Sequence, residues 1–100
     1  MRLENSKYRR MIKRLPDDVK AILESLDGND WYLEKYSPQY MGWAMDVLVD
    51  SKRFNLVKEW HQVFISEINE SGMDKFWPKD EETKNYEPKD VANAIRAKIA

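Results

Sequence analysis

Cysteine is absent from all 100 residues. Its absence excludes a disulfide framework, thiolate metal sites and a cysteine nucleophile, and a small staple-free domain is expected in the cytoplasm. Glycine is almost as scarce. Gly28, Gly42 and Gly72 are the only three, so no glycine-rich loop exists to cradle a phosphate. Long apolar runs are also missing. The longest spans three residues, as in Val47-Leu48-Val49, far short of a membrane-crossing segment. The opening Met1-Arg2-Leu3-Glu4-Asn5 has no apolar stretch of the kind a secretory signal carries.

Histidine occurs once, as His61. On a helix, a metal site would want a second ligand three or four residues on, and those positions are Phe64 and Ile65. A structural histidine is therefore expected. Asp27-Gly28-Asn29-Asp30 is not a calcium loop, because its glycine falls at the second position and Pro38 takes the twelfth. No serine nucleophile elbow is present. The expectation is a protein without enzymatic activity, cofactor or metal.

What is present is aromatic and charged. Aromatic residues make up 12% and charged residues 35%, the latter above the usual quarter. A chain of this length makes a single domain, residues 1–100. Its net charge of −1 hides a split. Residues 1–20 hold seven Lys/Arg and three acids, residues 21–50 one Lys and six acids, and the second half nine of each.

Apolar spacing at i, i+3, i+4 and i+7 recurs, which predicts helices. The first runs from about Ser6 to Arg14, with Tyr8, Met11, Ile12 and Leu15 on one side and Lys7, Arg9, Arg10, Lys13 and Arg14 on the other. The second runs from about Asp17 to Leu26, with acids at its N-terminus and Gly28 beyond its end. Asn29 or Asp30 can cap a short turn through Trp31, Leu33 and Tyr36. Ser37-Pro38 has the form of a helix start, and a helix to about Asp50 would turn Tyr40, Trp43, Ala44, Val47 and Leu48 inward. Asn55 can cap a helix over about Leu56 to Glu70, whose apolar face includes Trp60, and Ser71-Gly72 would end it. Pro88 begins a last helix. The expected fold is all-α: a compact bundle of about five helices with a central helical hairpin over about 37–72.

That hairpin, with its turn Ser51-Lys52-Arg53-Phe54, resembles in length and layout the repeating unit of pentatricopeptide and tetratricopeptide arrays, over about a third of the chain. The resemblance implies a pair of packed helices. The chain has no second copy of the unit, so it implies no array.

Without an active site, function is expected to be binding. The partner expected first is a protein, in an inhibitor, adaptor or immunity-type role. Asp46 and Asp50, four apart on one predicted helix face, and Trp77 are candidate contacts on the acidic and aromatic side, and Arg9, Arg10, Lys13 and Arg14 on the basic side. The alternative is nucleic acid, with the basic helix on phosphates; a pI near 5.8 speaks against it. A homodimer is a third option, and no membrane association is expected.

Overall fold

A computed structural model of the chain describes residues 15–78 and 87–100. Helix α1 (Asp17–Ser25) leads into five strands, β1 (Trp31–Gln39), β2 (Gly42–Val49), β3 (Lys52–Glu59), β4 (Gln62–Asn69) and β5 (Gly72–Trp77), and helix α2 (Pro88–Ile99) follows. The strands form one antiparallel sheet in the order β1-β2-β3-β4-β5, a simple meander. The two helices pack against each other and cover one face of it.

The expected all-α bundle is thus overturned. The central hairpin over 37–72 is two β-hairpins and part of a third, and the resemblance to helical repeats falls with it. Ser37-Pro38 does not start a helix but lies in β1, where a proline is tolerated because the strand is at the sheet edge. Asn55 does not cap a helix but sits inside β3. Helices do form at Asp17–Ser25 and at Pro88–Ile99. The predicted helix over Ser6–Arg14, with Arg9, Arg10, Lys13 and Arg14, lies outside the described residues.

The cause of the error is visible in β2. Residues 43, 44, 45, 47, 48 and 49 are all apolar, so a period of two and a period of 3.6 both fit. The structure selects two: Trp43, Met45, Val47 and Val49 are buried, while Ala44, Asp46 and Leu48 are half-buried on the other face. Phe54 and Leu56 of β3 and Val63 and Ile65 of β4 continue the buried set. Val19, Ile22 and Leu23 of α1 and Val91, Ala92 and Ile95 of α2 seal it from above. Phe54 is central, opposite Val47 on one side and edge-on to Phe76 at 5.9 Å on another. Full burial of such a ring contributes about 3 kcal/mol.

Each pair of neighbouring strands is joined by two residues: Tyr40-Met41, Asp50-Ser51, Trp60-His61 and Glu70-Ser71. The connections recur every ten residues. Asp50 and Ser51 both have positive φ, 47° and 72°, the left-handed pair that matches the twist of a two-residue hairpin. At α2, Glu87 and Asp90 form a reciprocal capping box, with the Glu87 N–H donating to Asp90 Oδ2 at 2.8 Å.

Two substitutions at β-carbons test this backbone. Gly42 lies where β2 and β3 approach closely, and a Cβ there would stand 1.9 Å from the Lys58 carbonyl oxygen. Gly42→Ala is expected to lower unfolding free energy by at least about 2 kcal/mol in urea titrations. Ser51→Gly removes a Cβ from a left-handed position and is expected to raise it by about 0.5–1 kcal/mol.

Candidate functional site: two aromatic hairpin tips

The meander places the β1–β2 and β3–β4 tips side by side at one end of the sheet, and the Trp60 N–H donates to the Met41 carbonyl at 3.0 Å. Tyr40 is 93% exposed, Trp60 64% and Met41 41%. His61 is exposed beside them. Met41 (φ 68°) and Trp60 (φ 59°) are held in the left-handed region, which bulky side chains seldom occupy. An exposed indole at a strained turn position has no packing role to account for it, and strain of this kind concentrates at functional surfaces.

Between the tips is a depression of about 410 Å³, lined by Gln39, Tyr40, Met41, Ala44, Val57, Lys58, Glu59 and Trp60. It opens onto the face of the sheet that the helices leave uncovered. Ala44 and Val57 stand opposite each other there, and Phe64 stands opposite Val57, so an apolar row crosses three strands. Lys75 lies over the Phe64 ring at 4.9 Å. The next row is polar, with Lys35, Asp46, Asn55 and Ser66 in register. Beyond it, Glu34, the extra residue of a bulge in β1, accepts two bonds from Arg53, at 2.6 Å and 3.0 Å. The Arg53 guanidinium holds the Glu34 carboxyl below its ordinary value.

Lys58 is among the lining residues, but its side chain stands on the covered face, beside its partner Trp43. There its Nζ lies 2.7 Å from Asp18 Oδ2, and the Trp43 indole donates to the same oxygen at 3.1 Å. Burial raises the Asp18 pKa, but the bonds from Lys58 and Trp43, with the Lys58 charge and the Val19 N–H, outweigh it and leave the carboxyl below its ordinary value. This clasp ties the first turn of α1 to β2 and β3 and fixes the lysine away from the tips.

The structure separates the residues singled out in sequence. Asp46 is on the uncovered face and accepts from Asn55 Nδ2 at 2.8 Å. Asp50 is at the opposite end of the sheet from the aromatic tips, where it accepts from Asn29 Nδ2 at 2.7 Å and from the Asp30 N–H at 2.8 Å. Its role there is to pin the loop before β1 to the β2–β3 turn. Arg96 of α2 secures the same loop, donating to Asn29 Oδ1 at 2.7 Å and to the Ser25 carbonyl. Trp77 packs partly against the core opposite Ile65. Tyr40 and Trp60, expected inside helices, are instead the exposed rings among the described residues. Their signal in the sequence was position, two bulky dipeptides twenty residues apart in a ten-residue rhythm.

Among the described residues, no three His, Cys, Asp or Glu side chains gather as a metal site, and no helix is long and apolar enough to cross a membrane. No family model, curated protein or solved structure matches the chain.

The Asp18 clasp carries a pH dependence. Because the folded pKa is depressed, its stabilisation is complete above the unfolded aspartate value of about 4 and disappears as pH falls through that value and the folded one. Asp18→Asn is expected to cost about 1 kcal/mol at pH 7, allowing for partial exposure. In urea titrations the difference from wild type is expected to shrink steadily below pH 4.

Proposed function

We propose that this protein is a small non-enzymatic binding module that acts by covering or bridging another protein, in an inhibitor, adaptor or immunity-type role, and that it engages its partner through the two aromatic hairpin tips and the adjoining uncovered sheet. The observation that carries this reading is the pairing of Tyr40 and Trp60, both largely exposed, around an apolar-floored depression. Tyrosine and tryptophan dominate binding hot spots because each brings a large rigid surface at little entropic cost. The backbone bond between the tips holds that surface in place before binding, which lowers the ordering cost of association. A cysteine-free chain of this size suits the cytoplasm, and that compartment is part of the same proposal.

The test is selection of a random displayed peptide library on the immobilised protein, with Tyr40→Ser/Trp60→Ser as the comparison target. Both side chains are exposed, so the double variant is expected to keep the wild-type urea midpoint. Most selected peptides are expected to bind it at least about tenfold more weakly. Selected peptides that bind both proteins equally would remove the tips from the interface.

A further inference from the structure

We infer that the depression between the tips receives a basic side chain, arginine or lysine, from a partner polypeptide, flanked there by apolar residues. This rests on the reading of the tips as the contact surface and adds the chemistry of what they contact.

Three features of the lining carry it. Its lining is largely apolar, with Tyr40, Met41 and Trp60 from the two tips and Ala44 and Val57 from the sheet, which suits the methylene stem of a long side chain. Two of these residues carry aromatic rings, and indole and phenol rings attract cations over their faces. The one carboxylate in the lining is Glu59, which is exposed and has no ion pair with a described cation.

Lys58 decides the sign. It is the sole cation among the lining residues, and its ammonium is engaged by Asp18 on the other side of the sheet. Among the described lining residues the depression therefore offers one carboxylate and two aromatic side chains, with no cation directed into it. An incoming guanidinium meets a carboxylate that can accept charge-assisted hydrogen bonds and rings on which it can stack. An acidic side chain would meet Glu59 with no cation of the described lining to balance it.

The experiment uses two capped peptides, acetyl-Gly-Leu-Arg-Leu-Gly-amide and the same peptide with citrulline, which keeps the shape of arginine but not its charge. Each is titrated into the full chain while the amides of Tyr40, Met41 and Gly42 and the Trp60 indole are followed by NMR. The arginine peptide is expected to shift these signals and to bind about tenfold more tightly than the citrulline peptide. Glu59→Gln is expected to remove most of that difference by weakening the arginine peptide alone. Equal affinity of the two peptides at the tips overturns the inference and leaves the contact surface standing. An unchanged arginine preference in Glu59→Gln overturns it as well. If neither peptide shifts the tip signals the inference also fails, and the library selection separately decides whether the tips bind at all.

Discussion

Four two-residue turns set the register beside each hairpin, and the buried face of the sheet depends on it, with one-residue shifts at the Glu34 bulge and between Ile65 and Ser66. A strand shows alternate faces, so a slip of one residue would carry Trp43, Met45, Val47 and Val49 from beneath the helices into water. Four large side chains at roughly 2 kcal/mol or more each make such a slip prohibitive. The turns fix the pairing next to them, and their spacing repeats the choice every ten residues. The helices need little beyond an apolar stripe to settle on the face that results.

The same constraint builds the candidate site. A meander whose β2 and β3 have the same length of 8 residues brings alternate turns to the same end, so Tyr40-Met41 and Trp60-His61 become neighbours although twenty residues separate them. Gly42 admits the close approach of β2 and β3 at the edge of the depression. Strand alternation puts Lys58 on the covered face with its partner Trp43, where Asp18 holds its ammonium, and leaves Glu59 as the one charged side chain of the described lining on the open face. Fold and surface chemistry are linked at that one lysine: its place on the covered face lets it anchor α1 through Asp18 and keeps its charge off the depression. At the far end, Asp50, Asn29 and Arg96 use their charges and amides to fasten the loop before β1, so those polar groups serve the fold.

Misreading 37–72 as helix has a physical origin. A strand whose open face is half-buried need not be polar there, and Ala44, Leu48, Val57, Phe64 and Ile68 blur the alternation that would have revealed it. The turns lack the Asn-Gly or Asp-Gly pairs that mark tight hairpins. The chain accepts left-handed Met41, Ser51 and Trp60 instead. Two cues favoured strands: β-branched and aromatic residues crowd 43–68, and the breaks between apolar segments fall at a fixed ten-residue interval. For the site, aromatic abundance was legible, but which rings would be exposed was not. Trp60 belongs to an apolar stripe if the segment is a helix and to a turn if it is a strand.

By itself, the sequence determined the terms that act locally. Asp17–Ser25 and Pro88–Ile99 carry apolar stripes of helical period with suitable ends, and the few residues that decide each helix are adjacent in the chain. The absence of cysteine and of any glycine-rich loop is equally a property of the sequence alone. Tertiary structure decided the rest, because the competing periods of 43–68 differ little in local energy. What separates them is pairing across strands and burial beneath two helices distant in sequence. That long-range packing placed Asp50 in a structural clasp, turned Trp77 toward the core and left Tyr40 and Trp60 in water, where they define the surface proposed for binding.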